Sequence, residues 1–268
     1  MSLAESISQQ LLSSLTRESL DLNASLNNSL RLLSKWRSHL IQNTLLKEEG
    51  TKVLGGPLKG LDFIESSAEG CHIAKLLGTY EQPLQPYIES AISGNYAKIL
   101  NIGCAEGYYA VGLARAMPSA QCLAYDSDPK AQEACKLLAK KNQVTNRVLV
   151  GGKFDIEDFA KHEQDAVLVF CDIEGGENEL LDPIAAPALR RLDIIVESHE
   201  CLLEGITEEL ISRFNLTHNI KVIKDNGSRR LENPPDWFSQ LSHLDQLLSL
   251  WEWRSGPTPW LIMSPKSD

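Results

Sequence analysis

Four ionisable residues stand in two pairs at the ends of neighbouring apolar runs, and their types suit acid–base chemistry. Asp172 and Glu174 follow the run that ends at residue 171, and Glu197 and His199 close the run that begins at residue 193. In extended backbone, residues two apart point to one side. We therefore expect all four to converge, with His199 as general base, because its reference pKa of about 6.5 suits proton transfer near neutral pH.

This group has two other interpretations. In one, Asp172, Glu174 and His199 hold a divalent metal ion, and the hydroxyl groups of an acceptor molecule bind to that ion. In the other, Asp172 and Glu177 cap the helix that follows, and Glu197 pairs with a lysine or arginine. The convergence of four ionisable groups at two adjacent strand ends favours a reaction centre over separate structural roles.

A glycine-containing loop follows the first apolar run of this region. Gly103 and Gly107 allow a tight turn that brings backbone N–H groups close to a ligand, and Asp126, after the next run, can accept both hydroxyls of a ribose. The spacing G-x-x-x-G differs from the G-x-G-x-x-G of nicotinamide dinucleotide sites. Glu106 in the loop would oppose a pyrophosphate but suits a cofactor with a sulfonium and an amino group, such as S-adenosylmethionine.

The elements that position these residues alternate between strand and helix from residue 98 onward. Continuous apolar strands alternating with helices indicate a parallel sheet covered on both faces, and ligands of such sheets bind beyond the carboxyl ends of the strands. The predicted strands span residues 98–102, 121–125, 147–150, 166–171, 193–197, 220–224 and 260–263. The predicted helices span residues 84–92, 108–117, 129–141 and 204–215, and residues 179–189 are predicted to be mostly helical, with Pro183 and Pro187 marking irregularity.

The first 48 residues differ in composition, because they are rich in Ser, Leu, Gln and Asn and contain no Gly or Pro. Leu or Ile recurs at positions 3, 7, 11 and 15, and Leu again at 22, 26, 30 and 33, which predicts one or two amphipathic helices. We divide the chain into an N-terminal helical extension, residues 1–50, and an α/β domain, residues 51–268. The apolar stripe of the extension docks onto the same chain or forms the seam of a homodimer.

Charge and hydropathy exclude several classes of partner. With 36 acidic and 26 basic residues the formal net charge is −10, which repels phosphate backbones, so we expect no nucleic-acid partner. Apolar runs fall far short of the roughly 20 residues that a membrane span needs, and we expect no membrane partner. The N-terminus lacks a secretory signal pattern, and the six cysteines are scattered without a C-x-x-C, so we expect a cytoplasmic protein.

The segment GCAEGYYAVGLA at residues 103–114 resembles the first cofactor-binding motif of class I S-adenosylmethionine-dependent methyltransferases. Three further segments resemble the FkbM-like branch of these enzymes: LGTYE at 77–81, DIEGGE at 172–177 and VESHE at 196–200. The resemblance runs from about residue 55 to 265. It implies a Rossmann-like, doubly wound, mostly parallel seven-stranded sheet with the last strand antiparallel. It also implies methyl transfer, usually to an oxygen of a small molecule or sugar.

The resemblance assigns roles in cofactor binding residue by residue. Gly103, Ala105, Glu106 and Gly107 would contact the methionine part of the cofactor, and Asp126 would hold the ribose.

Further candidates lie at the ends of other strands. Residues after the third strand of the family flank the adenine, which points to Gly152, Lys153 and Asp155; an N-cap of the next helix is an equally good interpretation of Asp155. Asp172, at the end of the fourth strand, is also a candidate for contact with the cofactor.

Three residues are candidates for the acceptor pocket. Tyr80 and Glu81 precede the first strand, and Arg229 follows the sixth. The alternatives are that Tyr80 packs on the edge of the sheet and that Arg229 belongs to an ordinary surface loop.

The leading hypothesis is an S-adenosylmethionine-dependent methyltransferase that methylates an oxygen of a small-molecule acceptor, with His199 as base. A second is an NAD-dependent oxidoreductase built on a similar sheet. A third is a non-catalytic methyltransferase-like protein that interacts with partners through its N-terminal helices. The intact loop glycines, Asp126 and the DIEGGE segment argue against the third hypothesis.

Overall fold

The computed structural model describes residues 2–16, 21–65, 71–163, 166–254 and 256–266. Within these ranges the strands form one seven-stranded sheet in the order β3-β2-β1-β4-β5-β7-β6. The strands are Lys98–Ile102 (β1), Gln121–Tyr125 (β2), Val148–Gly151 (β3), Val167–Cys171 (β4), Asp193–Glu197 (β5), His218–Ile223 (β6) and Trp260–Pro265 (β7).

Strands β1 to β5 pair in parallel, whereas β7 is antiparallel to both of its neighbours, β5 and β6. The predicted Rossmann-like sheet with an antiparallel last strand is therefore confirmed. The strand order reverses between β1 and β4, and this switch point opens the crevice in which ligands of such sheets bind.

Helices cover the sheet and add the N-terminal extension. The α-helices within the described ranges are Leu3–Leu15 (α1), Leu22–Glu49 (α2), His72–Leu77 (α3), Gln85–Ser93 (α4), Tyr108–Ala116 (α5), Pro129–Lys141 (α6), Glu177–Leu180 (α7), Ile206–Phe214 (α8), Asp236–Ser239 (α9) and His243–Leu250 (α10). Short 3₁₀ helices span Gln82–Leu84, Ile156–His162 and Pro187–Arg191. In the described part of the chain, no helix has the length and apolar content required to cross a membrane.

The two faces of the sheet each have their own apolar core, because successive strand residues point to opposite faces. Leu100 in β1 and Val169 in β4 belong to one core, and their neighbours Ile99 and Phe170 belong to the other. All four side chains are buried. The central strands are thus covered on both sides, as their continuous apolar sequences predicted.

The second half of α2 docks onto the α/β domain. Its residues Ile41 and Leu45 are buried in the core. Arg37 donates two hydrogen bonds of 2.7 Å to the carboxylate of Asp245 in α10. This half of the extension is therefore covered by the same chain.

The segment over residues 179–189 is less helical than predicted, and its irregularity falls at the two prolines, as predicted. Only Glu177–Leu180 is α-helical, and after a turn the chain forms the 3₁₀ helix Pro187–Arg191. Pro183 and Pro187 explain the difference, because proline lacks the N–H that an α-helix needs and keeps the preceding residue out of helical geometry.

The switch point itself requires a glycine. Gly103, directly after β1, has φ +79°, and a Cβ at this position would lie 1.6 Å from the carbonyl oxygen of Asp172 after β4. The Asp172 N–H donates to the Ile102 carbonyl at 2.9 Å. The two strand ends are thus held so close together that no side chain fits between them.

Replacement of Gly103 should therefore lower the unfolding free energy by more than backbone strain alone would. We expect Gly205→Ala, at φ +84° with open space around it, to lose about 1 kcal/mol of unfolding free energy from left-handed strain. Gly103→Ala should lose at least about 2 kcal/mol more, because the methyl group overlaps backbone. Urea denaturation measures both, and equal losses would contradict the close approach.

Candidate functional site

The glycine loop between β1 and α5 is fixed by backbone geometry and by one carboxylate. Ala105 and Gly107 adopt positive φ angles of 45° and 93°. Asp126, after β2, accepts the Ala105 N–H at 2.8 Å through Oδ2 and the Asp128 N–H at 2.8 Å through Oδ1. A carboxylate offers about four acceptor positions. Asp126 therefore ties the loop to β2 and retains capacity for the hydroxyls of a ligand.

Glu106 of the loop makes a buried ion pair. Nζ of Lys75 in α3 lies 2.5 Å from Oε1 of Glu106, and both side chains are almost fully buried. The ring centroids of Tyr80 and Tyr108 lie 5.1 and 5.8 Å from this ammonium. Because Lys75 balances the charge of Glu106, this carboxylate alone no longer argues against a pyrophosphate. The lining instead presents a carboxylate and an ammonium together, which match the two charges of an amino acid.

The structure brings the four residues of the predicted reaction centre together. Nε2 of His199 lies 3.4 Å from Asp172 Oδ1, 3.5 Å from Glu174 Oε2 and 3.6 Å from Glu197 Oε2. The other ring nitrogen, Nδ1, lies 2.8 Å from Oε1 of the fully buried Glu177. Glu177 thereby fixes the orientation of the ring and leaves Nε2 facing the other carboxylates.

These contacts control how the cluster binds protons. Burial lowers the pKa of His199, but the Glu177 hydrogen bond and the charges of Glu197, Glu177 and Glu174 outweigh burial and raise the pKa above its usual 6.5. Burial, together with the charge of Glu197, raises the pKa of Asp172 well above its usual range. His199 can therefore accept a proton from a bound molecule above its raised pKa.

Three members of the cluster also suit a divalent cation. Asp172, Glu174 and His199 each offer one ligand atom, and these atoms lie within 4.8 Å of one another. Carboxylate oxygens and imidazole nitrogen together form a donor set that divalent metals accept. The geometry is thus compatible with both predicted roles of the cluster, as a base and as a set of metal ligands.

A buried ion network supports the cluster, and its central residue, Arg254, escaped the sequence analysis. Arg254 pairs with Glu197, with Glu81 at 2.8 Å, with Glu252 at 3.1 Å and with Asp225 at 3.3 Å. A guanidinium has five N–H donors in a planar fork, which suits contact with several carboxylates. The interpretation of Glu197 as the partner of an arginine is therefore confirmed, although Glu197 also faces the cluster.

Arg229 belongs to the same network. Its Nε lies 2.5 Å from Glu252 Oε1, and its Nη2 lies 2.5 Å from Asp225 Oδ2. Arg229 lines a cavity of about 680 Å³ that shares Glu252 and Arg254 with the cavity beside the cluster. Its guanidinium contacts two carboxyl groups, and its predicted role in the acceptor pocket stays a prediction.

Tyr80 and Glu81, predicted together, lie in different places. Tyr80 lines the cavity beside the cluster, as the sequence predicted, whereas Glu81 is absent from that lining. Glu81 is buried at φ +50°, accepts the hydroxyl hydrogen bond of Tyr109 and pairs with Arg254. Glu81 thus anchors Arg254 from behind the cavity, and its predicted contact with the acceptor stays a prediction.

The loop after β3 borders a second cavity, of about 700 Å³. Lys153 and Asp155 line it, whereas Gly152 is exposed and does not. Asp155 pairs with Lys153 at 3.0 Å and is the N-cap residue of the 3₁₀ helix Ile156–His162. The N-cap interpretation of Asp155 is therefore confirmed, and the contact of Gly152 with the cofactor stays a prediction.

Phe154, which the sequence analysis missed, supplies an apolar surface in this cavity. The residue is buried, and its ring lies edge-on to Tyr125 with centroids 4.8 Å apart. Both side chains line the cavity together with Asp126. A flat, apolar ring system beside a ribose would find a hydrophobic contact here.

The two cavities of the site adjoin each other. The cavity beside the cluster measures about 320 Å³, and its lining includes Glu106 and His199. It shares Gly103, Asp172 and Glu174 with the 700 Å³ cavity. The site is thus an elongated space that passes over the strand ends at the switch point.

Two buried polar atoms in the smaller cavity have no hydrogen-bond partner among the described residues. They are Oδ1 of Asn101, an acceptor, and Nε1 of Trp253, a donor. Buried polar groups are almost always paired. Both atoms therefore indicate that this cavity takes a ligand with polar groups of its own.

Helix α2 is part of this site, although the sequence analysis placed residues 1–50 outside the catalytic domain. Arg31 donates to the carbonyl oxygens of Trp253 at 2.9 Å and Arg254 at 3.2 Å. Nζ of Lys35 lies 5.0 Å from the Trp253 ring centroid, and Lys35 lines the smaller cavity. The extension therefore fixes the segment that carries Arg254.

The chain is similar to several solved structures of methyltransferases, at low sequence identity. No protein-family model and no curated protein matches the chain, so the FkbM-like resemblance stays a prediction. Similar solved structures include an O-methyltransferase from Bacillus cereus in complex with SAH, with 14% identity, 69% of this chain and 81% of that chain covered, and a TM-score of 0.45. A putative O-methyltransferase from Klebsiella pneumoniae is 12% identical, with 88% of this chain and 100% of that chain covered and a TM-score of 0.49. Cofactor-bound Rv0187 from MTB is 14% identical, with 97% of this chain and 96% of that chain covered and a TM-score of 0.48. At these identities and TM-scores the similarities carry no argument about activity.

The buried carboxyl group of Glu81 makes the stability of the protein depend on pH. Burial and the charge of Glu197 raise the pKa of Glu81 from 4.5 to about 8, although Arg254 opposes the shift. The folded protein thus keeps a proton that the unfolded chain releases above pH 4.5. The stability from this group is complete below pH 4.5 and is lost as pH rises through about 8.

Glu81→Gln removes this titration while keeping the shape of the side chain. Between pH 5 and 7 the unfolding free energy of the protein with Glu81 falls by about 1.4 kcal/mol per pH unit because of this group. The unfolding free energy of the variant should lack this fall. Urea denaturation at several pH values measures the difference. Glu133→Gln, on the exposed surface of α6, is the control, and parallel profiles for both variants would contradict the raised pKa.

Proposed function

We propose that this protein transfers a methyl group from S-adenosylmethionine to a hydroxyl oxygen of a small-molecule acceptor. The observation that carries the proposal is the pair of adjoining cavities that share Gly103, Asp172 and Glu174 beside His199. The cofactor has a nucleoside at one end and an amino acid at the other, so an elongated, two-part site suits it. It supplies an electrophilic methyl group.

The residues of each cavity suit one end of this cofactor. Asp126 and Phe154 would hold the ribose and the adenine in the 700 Å³ cavity. In the smaller cavity, the ion pair of Lys75 and Glu106 would hold the carboxylate and the ammonium of the amino-acid end, and the unpaired Oδ1 of Asn101 would accept a further hydrogen bond.

The charge of the larger cavity distinguishes this cofactor from a nicotinamide dinucleotide. A cavity rich in carboxylates attracts a sulfonium cation and repels a pyrophosphate. Lys153 is the one basic residue of its described lining; the acidic residues are Asp126, Asp128, Asp155, Glu157, Asp172, Glu174 and Glu179. The acidic lining therefore supports the methyltransferase hypothesis over the oxidoreductase hypothesis. This support does not depend on Glu106, whose charge is balanced by Lys75.

The cluster at the strand ends would prepare the acceptor. Methyl transfer is an in-line displacement, which needs the acceptor oxygen positioned and deprotonated. Nε2 of His199 would take the hydroxyl proton, and the carboxylates of Asp172 and Glu197 would stabilise the imidazolium that results. Glu177 would keep Nδ1 oriented throughout.

The same donors support a metal-assisted version of this function. A divalent cation held by Asp172, Glu174 and His199 would lower the pKa of an acceptor hydroxyl. The observation that favours this version is the compact set of three ligand atoms within 4.8 Å of one another. His199 would then be a ligand, and a different group would receive the proton.

Asp126→Ala should weaken the binding of S-adenosylhomocysteine, because the ribose loses its acceptor. Loss of charge-assisted hydrogen bonds predicts an affinity at least about 10-fold lower. Calorimetric titration measures the affinity, and thermal unfolding verifies that the variant is folded. Glu133→Gln removes an exposed carboxylate outside the site and should bind as the unchanged protein does. Unchanged affinity of Asp126→Ala would overturn the placement of the ribose.

His199→Ala should lower methyl transfer by about 100-fold or more while S-adenosylhomocysteine binds normally. The assay follows the labelled methyl group onto a panel of hydroxylated small molecules. His243→Ala, at an exposed histidine of α10, should keep full activity. Near-normal turnover of His199→Ala would dismiss its role.

The same assay with EDTA and with added Mg²⁺ separates the two versions. With His199 as base, turnover should be insensitive to EDTA and should rise with pH through the raised pKa of His199. In the metal-assisted version, EDTA should abolish turnover and Mg²⁺ should restore it.

A further inference from the structure

The N-terminal half of the extension carries exposed leucines on two adjacent helices. Leucines 22, 26, 30 and 33 of α2 follow one another at helical spacing and are 40–73% exposed. Leucines 3, 12 and 15 of α1 are 48–63% exposed. Monomeric soluble proteins rarely expose so many apolar side chains together, and such patches mark interaction surfaces.

Helix α1 gains little cover from its own chain. It spans 13 residues and contains no buried residue. It contacts α2 through Ser25, whose hydroxyl donates to the Ser14 carbonyl at 2.6 Å. An isolated helix of this length is marginally stable in water. The helix therefore needs a further surface to cover its apolar side.

The second half of α2 is fixed on the domain and presents this surface in a defined orientation. Arg31 and Arg37 anchor α2 to Trp253 and Asp245. The leucine stripe extends from residue 22 to residue 33, on both sides of Arg31, and remains exposed, so it is not the face with which α2 docks onto its own chain.

The charge of the surface restricts the partner. Residues 3–15 contain one charged side chain, Glu5, and residues 22–33 contain one, Arg31, although the whole chain carries a net charge of −10. Arg31 already donates to carbonyl oxygens of its own chain, so a nucleic acid or an anionic membrane would find no further lysine or arginine on these segments. Two copies of this chain can approach each other at this surface without bringing like charges together.

We propose that α1 and the first half of α2 form the interface of a homodimer, in which each copy covers the leucines of the other. A two-fold contact requires only that one face complements itself. Leucines at intervals of three and four residues form ridges that pack into the grooves of a facing helix. The dimer contact is thus a four-helix arrangement, with two helices from each copy.

The test is the mass of the protein in solution, measured by light scattering during size-exclusion chromatography over a range of concentrations. We expect the unchanged protein to be a dimer. The double variant Leu26→Glu and Leu30→Glu should be a monomer, because dimerisation would bury two unpaired charges from each copy. Leu137→Glu, which changes a leucine of α6 that is 64% exposed, should remain a dimer.

Three results would overturn the proposal. The first is a monomeric unchanged protein at every concentration. The second is a double variant that remains dimeric with an unchanged circular dichroism spectrum, which would place the interface elsewhere. The third is a monomer that floats with phosphatidylcholine vesicles through the same leucines, which would make a lipid surface the partner. If the double variant does not fold, Leu30→Gln, which adds no charge, should still weaken the dimer measurably.

Discussion

The contact of Arg254 with several buried acidic side chains is the interaction on which the site depends. Glu81 and Glu197 are almost completely buried and both contact this one guanidinium. A buried charge that loses its partner is strongly destabilising. Arg254 therefore joins the segment before β1 to the end of β5 and keeps Glu197 within 3.6 Å of His199. Arg31 of α2 holds the backbone of Arg254 in turn, so the N-terminal extension helps to position the proposed reaction centre.

The charges that line the two cavities suit the cofactor of the proposed function. The charged residues that line the larger cavity are acidic except for Lys153, and the smaller cavity contains the buried pair of Lys75 and Glu106. Such a lining favours a molecule with a positive sulfonium and a zwitterionic end. We infer that it binds the cationic methyl donor more tightly than the neutral sulfide left after transfer, and that this difference assists product release.

The sequence predicted those features that local patterns determine. Apolar runs located the strands, and the glycines with Asp126 located the loop, because turns and strand ends are encoded by neighbouring residues. Features that join distant segments were missed: Lys75 reaches Glu106 across 31 positions, and Arg254 reaches Glu81 across 173. No spacing rule predicts such partners, since tertiary folding alone brings them together. Residues 179–189 form less helix than predicted for a local reason, because Pro183 and Pro187, which predicted irregularity there, interrupt an otherwise helical composition.

The central claim is that the two adjoining cavities form a site for an adenosyl cofactor. The most direct test is calorimetric titration of the unchanged protein with S-adenosylhomocysteine, with NAD⁺ titrated in parallel. The account predicts binding of S-adenosylhomocysteine with a micromolar or lower dissociation constant and no measurable heat with NAD⁺. Binding of NAD⁺ with no response to S-adenosylhomocysteine would contradict the assignment of an adenosyl cofactor and would favour the oxidoreductase hypothesis.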